Sequence, residues 1–110
     1  MKTEKTALYT VLTSDENSFA DFFESFNATH TGIENEHIII ELSENLNSNF
    51  EQISLFLNCA VTHKSNGTSF AVVCSGIDID LFPETFNIVP TLTEAIDVIE
   101  MEAIERDLGF

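Results

Sequence analysis

The chain has 110 residues and a formal net charge of −15 at pH 7, because 19 acidic residues stand against only 4 lysines and arginines. Such a surface repels phosphate backbones and anionic headgroups, so binding to nucleic acids and to membrane surfaces is disfavoured. Hydrophobic residues make up 44% of the chain and include ten phenylalanines. This composition excludes disorder and fits a single folded domain spanning residues 1–110.

The N-terminal third predicts one strand and one helix. Residues 6–13 (TALYTVLT) alternate and carry β-formers, which predicts the first strand, and residues 14–17 supply side chains suited to helix capping. Residues 27–36 form a polar connection, in which His30 is expected to be solvated. The helix before it has an aromatic core face at helical spacing, formed by Phe19, Phe22, Phe23 and Phe26.

The central third predicts a buried strand, a polar loop and a second helix. Residues 37–42 (HIIIEL) form a short apolar run typical of a strand covered on both faces, and residues 43–47 form a loop. Ser48 stands three residues before Glu51, which is the spacing of a capping box. The helix predicted over 49–64 has an inner stripe of Phe50, Ile53, Phe56, Leu57, Ala60 and Val61, and Asn66-Gly67 ends it.

The last third predicts two strands and a long acidic helix. Residues 68–74 (TSFAVVC) form a central strand that ends in a Ser75-Gly76 turn, and residues 77–86 are weakly helical. Residues 87–90 suit a short edge strand because they end in proline, and Thr91 with Glu94 forms a second capping box. The helix over 92–108 has an inward face of Leu92, Ala95, Ile96, Ile99, Ala103 and Ile104.

This order predicts an α/β fold of β-α-β-α-β-α-β-α type. Alternating strands and helices with short loops favour a four-stranded, mainly parallel sheet flanked by helices. No linker, internal repeat or low-complexity tract divides the chain.

Motifs that carry chemistry are largely missing. The four glycines are not clustered, so neither a phosphate loop nor a dinucleotide fingerprint is present. His30, His37 and His63 are scattered, so we expect no metal site: His37 would be a strand-edge residue, and His63, if charged, would favour a helix C-terminus. Ser48 or Cys74 would need a histidine beside it for nucleophilic catalysis, and no nucleophile elbow is present.

The cysteines and the N-terminal stretch predict a cytoplasmic protein. Cys59 and Cys74 are not at CxxC spacing, which favours free thiols in a reducing compartment. Neither a secretory signal core nor an apolar run long enough to span a bilayer is present.

With this layout, the chain resembles the STAS domains, the family of anti-sigma factor antagonists. The resemblance starts at residues 37–43 (HIIIELS), where that family has a strand leading through a loop to a helix whose N-terminus carries a phosphorylated serine. It continues through Asn66-Gly67 and residues 69–74 (SFAVVC), and it ends at residues 87–96 (NIVPTLTEAI), which match a short strand, a polar cap and a last helix. The order and spacing of these segments make the match, which covers residues 37 to about 108.

The sequence departs from that family in two places. The family's phosphoacceptor motif, Asp-Ser-Ser/Thr-Gly, is expected near residues 49–52, which here are Asn49-Phe50-Glu51-Gln52. Phe50 cannot take a phosphate, and the nearest hydroxyl, Ser48, is interpreted as a helix cap first and a shifted phosphoacceptor second. The family also opens with two strands before the first helix, whereas one is evident here.

We therefore predict a STAS-like regulatory module that works by protein–protein interaction, without catalysis, cofactor or metal, and without a working phosphoswitch. The alternatives are a phosphorylatable switch that uses Ser48, or a small-molecule or nucleotide-binding domain with its site beside Ser75-Gly76. The resemblance implies a kinase or anti-sigma-like regulator as partner, and the charge favours a basic surface. The chain itself is expected to be a monomer or a weak homodimer. The partner-binding loop implied by the resemblance comprises Ser43, Ser48, Asn49, Phe50 and Glu51.

Overall fold

The sheet contains five strands, which lie side by side in the order in which they occur along the chain. The computed structural model describes residues 1–46 and 48–109. Strands β2 to β5 are parallel, and β1 is antiparallel to β2, so the sheet is mixed. The α/β class is confirmed, whereas the predicted four strands are one too few. The strands are β1 (Lys2–Lys5), β2 (Thr10–Thr13), β3 (Ile38–Glu41), β4 (Phe70–Val73) and β5 (Asn87–Val89).

The strand missed by the sequence analysis is β1. All four of its residues are exposed and three of them are charged, so it carries no apolar alternation. Backbone pairing with β2 holds it, with Lys5 opposite Thr10. The predicted first strand is correspondingly shorter, because residues 6–9 form the turn between β1 and β2. The Thr6 hydroxyl oxygen accepts the N–H groups of Leu8 and Tyr9 in that turn, at 3.2 and 3.0 Å.

Helix α1 confirms the aromatic stripe and is longer than predicted. It begins after Ser18, whose hydroxyl oxygen accepts the Asp21 N–H at 3.2 Å, so the cap is not within residues 14–17. The helix continues to His30, which therefore belongs to α1 and not to a solvated loop. The α-helices are α1 (Phe19–His30), α2 (Phe50–Ser54), α3 (Leu57–Ser65) and α4 (Leu92–Asp107), and short 3₁₀ helices lie at Glu44–Leu46 and Ile79–Leu81.

The predicted second helix is two helices. After Ser54 the chain tightens, because the N–H of Leu55 bonds to the Gln52 carbonyl and that of Phe56 to the Ile53 carbonyl, at 3.1 and 3.0 Å. These are bonds to the third residue back, as in a 3₁₀ turn, and they shift the register between α2 and α3. The predicted helical stretch over 77–86 is reduced to the 3₁₀ turn Ile79–Leu81.

The sheet separates two apolar layers. Helices α1, α2 and α3 cover one face, where Phe22, Phe26 and Phe56 pack against Ile38 and Ile40. Helix α4 covers the other face and contributes Ala95 and Ile99, which pack with Ile39, Ala71 and Val73. The two faces of β3 are thus both buried, as predicted from its continuous apolar run.

Three of the predicted inward-facing residues are exposed. Phe50, Val61 and Ile104 are 41%, 65% and 59% exposed. The break between α2 and α3 explains the first two, since a single continuous helix would have kept them on one stripe.

The predicted stop at Gly67 is confirmed by its φ of 75°, which a residue with a Cβ adopts only with strain. Across the described ranges, no helix combines the length and the hydrophobicity needed to cross a lipid bilayer.

Candidate functional site

A cavity of about 350 Å³ opens where β3 and β4 end. The two strands are adjacent and parallel, so the segments that leave their carboxyl ends meet at the same edge of the sheet. The first of these segments is the predicted partner-binding loop, of which Asn47 lies outside the described residues. The described residues that line the cavity are Leu42, Ser43, Glu44, Ser48, Cys74, Ser75 and Gly76.

The polar groups of this cavity comprise three serine side chains and one carboxylate. The Ser75 hydroxyl donates to the Glu44 carboxylate at 3.0 Å, which joins the two loops. The Ser43 N–H donates to the Ser14 hydroxyl oxygen at 2.7 Å, which ties the loop to the end of β2. The Ser48 hydroxyl oxygen is buried and has no hydrogen-bond partner among the residues that the structure describes. A buried hydroxyl without a partner is costly, so this atom is the unusual feature of the cavity.

The thiol of Cys74 forms an apolar part of the same wall. Burial raises the pKa of the thiol, which therefore stays protonated at neutral pH. The cysteine is free, as predicted, and so is Cys59 on α3. Ser75-Gly76 forms the predicted turn, and Gly76 has a φ of 78°.

The cap of α2 is one residue further along the chain than predicted. Asn49 Oδ1 accepts the N–H of Gln52 at 2.8 Å, and Gln52 Oε1 accepts the N–H of Asn49 at 3.1 Å. This reciprocal pair is the capping box, so the prediction for Ser48 and Glu51 is wrong. The shift frees Ser48 from the helix end and leaves Glu51 exposed.

Phe50 is the first residue of α2, and its side chain covers the loop after β4. Its ring packs on that of Phe82 with 4.9 Å between centroids, and Phe82 in turn packs on Phe86 at 5.4 Å. Ile79 and Leu81, in the 3₁₀ turn beside Phe82, are exposed as well. We name the patch formed by the exposed Phe50, Ile79 and Leu81, together with the buried Phe82 that packs on Phe50, the Phe50 surface.

The Phe50 surface is bordered by carboxylates. Glu51 follows Phe50 on α2, and Asp78 and Asp80 alternate with the apolar residues of the 3₁₀ turn; all three are exposed. The sequence has no lysine or arginine between Lys5 and Lys64 or between Lys64 and Arg106. The patch therefore combines exposed apolar area with negative charge.

The histidines are less scattered in the structure than in the sequence. His30 at the end of α1 and His63 on α3 are both buried, and their Nε2 atoms are 2.7 Å apart. The Thr68 hydroxyl donates to the His63 carbonyl at 3.2 Å, so its oxygen accepts from His63 Nδ1 at 2.8 Å. We therefore assign the proton of the pair to His30 Nε2, which donates to the bare Nε2 of His63.

The charge state of His63 decides whether it can favour the helix C-terminus, since that role was predicted only for a charged imidazole. Burial, together with the nearby His30 and His37, lowers the pKa of His63 to about 4. His63 is thus neutral at pH 7 and does not act on the helix dipole as a cation. His37, next to β3, has its Nδ1 occupied by the Ser69 N–H at 2.9 Å.

A second cavity, of about 430 Å³, lies between α3, β5 and α4. On one side Glu102 accepts from Ser69 at 2.6 Å and from Asn87 at 3.0 Å, while Arg106 donates to the Ser69 hydroxyl at 2.9 Å. These bonds join α4 to β5 and to the residue just before β4, and they occupy the Ser69 hydroxyl with a carboxylate and a guanidinium. Among the described residues, no group of three or more His, Cys, Asp or Glu side chains is placed to hold a metal ion.

No protein-family model matches the chain, and no curated protein is significantly similar to it.

Sequence reasoning missed the part of the site that lies after β4. Ile79, Leu81 and Phe82 were placed in a weakly helical stretch, although Phe82 contacts the predicted loop residue Phe50 and the other two lie in the turn just before Phe82. The signal was the alternation of aspartate and apolar residues in residues 78–82, which leaves those apolar residues without a regular element to bury them.

Proposed function

We propose that the protein is a non-catalytic regulatory module that binds another protein through the Phe50 surface and the adjoining loop after β3. The proposal keeps the resemblance to the anti-sigma factor antagonists as its starting point. In that family the phosphorylated serine stands at the helix position that Phe50 occupies here. The partner would be a protein with an apolar patch surrounded by lysines or arginines.

The observation that carries the proposal is the exposure of Phe50. A phenylalanine that is 41% exposed, at the start of a five-residue helix, contributes little to the core. Exposed aromatic residues set among polar ones are typical of protein interfaces, because they desolvate readily on binding. The surrounding carboxylates would speed encounter with a basic partner.

The layout of the strands also supports the proposal. Two strands precede the first helix, as the resemblance implies for the family, and among the described residues three parallel pairings follow in chain order, β2 with β3, β3 with β4 and β4 with β5. The second strand before α1 thereby removes one of the two differences from the family that the sequence analysis noted. The other, Phe50 in place of a serine, remains and argues against phosphorylation at that position.

The experiment is a pull-down from the protein's own host with three matched baits. The wild-type chain should recover a defined partner, Phe50→Ser should lose it, and Val61→Ser should keep it. Val61 is also exposed but lies on α3, outside the Phe50 surface. Retention of the same partner by Phe50→Ser, or a saturable turnover of any substrate by the purified chain, would overturn the proposal.

The phosphoswitch alternative makes a separate prediction for Ser48. Its hydroxyl oxygen is buried, so a kinase would need the loop to open before it could reach the group. Intact-mass analysis of protein purified from the host, followed by peptide mapping, would detect a phosphate on Ser48 or Ser43. A wild-type mass without phosphate under all growth conditions would reject this alternative.

The small-molecule alternative is favoured by one observation: the Ser48 hydroxyl, beside the 350 Å³ cavity, has no hydrogen-bond partner within the described part of the chain. A polar ligand there could supply the missing hydrogen bond and reach Glu44 and Ser75. A thermal-shift screen of amines, polyols and nucleotides would test it, since a ligand raises the unfolding temperature by binding the folded state. A shift that persists in Ser48→Val would place the ligand elsewhere.

A further inference from the structure

Helix α4 carries an exposed apolar stripe on the face opposite to the one that packs on the sheet. Its members are Met101 and Ile104 on α4 and Leu108, the cap residue directly after Asp107, and they are 61%, 59% and 66% exposed. Their spacings of three and four residues place them in one row, about 10 Å long at 1.5 Å per residue. The opposite face of the helix, with Ala95 and Ile99, is fully buried against the sheet.

Carboxylates border this stripe on both sides. At about 100° per residue, Glu94 and Glu105 lie along one side and Glu100 and Asp107 along the other. All four are exposed. The single cation of the helix, Arg106, lies on another side, where it donates to the Ser69 hydroxyl.

Two of these carboxylates stand where a helix disfavours them. Glu105 and Asp107 are in the last turn of α4, whose free carbonyl groups already carry a partial negative charge. Neither takes part in an ion pair within the described residues. Positive charge from another molecule would therefore stabilise this end of the helix.

We infer that α4 is a second docking surface, separate from the Phe50 surface, and that its occupant is a basic amphipathic helix of a partner protein. Such a helix would pack apolar residues at positions i, i+3, i+4 and i+7 on the stripe and set lysines or arginines against the flanking carboxylates. A second copy of this chain does not fit, because pairing two α4 helices would bring the same carboxylates together in molecules that each carry −15. The inference does not depend on the proposed function.

The test uses synthetic peptides as the probe. One peptide of about 14 residues, long enough for almost four turns, carries leucines on one helical face and lysines on the others. A control peptide has the same composition in scrambled order, so its leucines share no face. Fluorescence anisotropy measures the affinity of each peptide for the full chain at about 150 mM salt, where exposed charges are partly screened. We expect the amphipathic peptide to bind at least tenfold more tightly than the scrambled one.

Variants of the chain then locate the site. The double variant Ile104→Gln, Leu108→Gln should weaken binding of the amphipathic peptide about tenfold or more, as for interface positions that dominate affinity. The matched control Leu55→Gln, Val61→Gln changes two equally exposed apolar residues on other elements and should leave binding unchanged. Phe50→Ser should also leave it unchanged, which separates this surface from the Phe50 surface. Met101→Gln serves as an independent second variant, and circular dichroism confirms that each variant is folded.

Three results would overturn the inference. Equal binding of the scrambled peptide would show attraction by charge alone. An equal loss in the double variant and in its matched control would place the peptide elsewhere. Dimerisation of the free chain that is abolished by Ile104→Gln, Leu108→Gln, measured by sedimentation, would make a second copy the occupant.

Discussion

The two buried imidazoles of His30 and His63 show how single residues can couple folding to pH. Each ring is enclosed by aromatic side chains: Phe26 stacks on His30 with 4.9 Å between centroids, and Phe70 packs on His63 at 5.2 Å. Burial lowers the pKa of both imidazoles, and Glu34 opposes this at His30. Somewhat below pH 6.5 the folded protein therefore keeps these imidazoles neutral, whereas the unfolded chain would protonate them.

This pair predicts a loss of stability in mild acid. The pKa of His63 is about 4 when folded against an ordinary 6.5, so between these values only the unfolded chain binds the proton. The free energy of unfolding should then fall as pH falls from 6.5 towards 4, by up to about 1.4 kcal/mol per pH unit for each such histidine. Urea unfolding of wild type and His63→Gln across this range measures the free energy of unfolding, and this energy should change less steeply with pH in the variant. Equal slopes would contradict the prediction.

Two neighbouring residues at the start of α2 give a second prediction at the same scale. Asn49→Ala removes the cap and should lower the free energy of unfolding by about 1 kcal/mol. Ser48→Ala removes a buried hydroxyl that no described residue contacts by a hydrogen bond, and it should be neutral or slightly stabilising. Denaturant unfolding of both variants distinguishes the observed cap from the one predicted by spacing alone. A larger loss in Ser48→Ala than in Asn49→Ala would assign the cap to Ser48.

At the scale of elements, α1 and α3 are joined by aromatic contacts that centre on the turn before α3. The ring of Phe56 meets those of Phe19, Phe23 and Phe26 edge-on, with centroids 5.2–5.8 Å apart. Edge-to-face contacts of this kind add to the free energy gained by burial. The break between α2 and α3 thus places a large ring at the centre of one layer.

Truncation of Phe56 should destabilise the protein by about 3–5 kcal/mol, because it removes a fully buried ring and leaves a cavity. Val61→Ala, four residues into α3 and largely exposed, should change the free energy of unfolding by less than about 0.5 kcal/mol. Chemical denaturation of both variants provides the comparison. Similar losses in the two would mean that Val61 is covered in solution.

At the scale of the whole molecule, negative charge opposes folding. The net charge of −15 is spread over 110 residues, and only three close ion pairs are present among the described residues, two of them at the Met1 ammonium. Salt should therefore stabilise the protein by screening repulsion. The unfolding temperature at pH 7 should rise between about 10 mM and about 0.5 M NaCl, and scanning calorimetry would measure it. A fall in unfolding temperature would show that attractive pairs dominate instead.

The fold could be predicted from the sequence wherever burial imposes a period. The phenylalanine stripe of α1 and the runs in β3 and β4 gave the right elements, because both are fixed by which side chains face the core. Strand β1 could not be found in this way, since its residues are exposed and it is held by backbone bonds to β2. The break at Leu55 was hidden because the apolar residues between Phe50 and Val61 keep the spacing of one continuous helix, so the pattern gives no sign of the turn between α2 and α3.

The candidate site was predicted only in part. The loop after β3 and Phe50 were located by a resemblance, but the contact with Phe82 joins segments more than thirty residues apart. The contact between His30 and His63 likewise joins residues that are 33 positions apart in the sequence. Such contacts depend on how helices cross the sheet, which local patterns in the sequence do not determine.

The edges of the sheet explain how a chain with exposed apolar surfaces can avoid polymerising through its strands. β1 presents Lys2, Glu4 and Lys5 along one edge, and charged side chains there discourage the addition of a foreign strand. The other edge, β5, has only three residues and is followed at once by Pro90, which has no N–H to donate. Strand addition is thereby disfavoured at both edges of the sheet, so any association is favoured at side-chain surfaces on helices and loops.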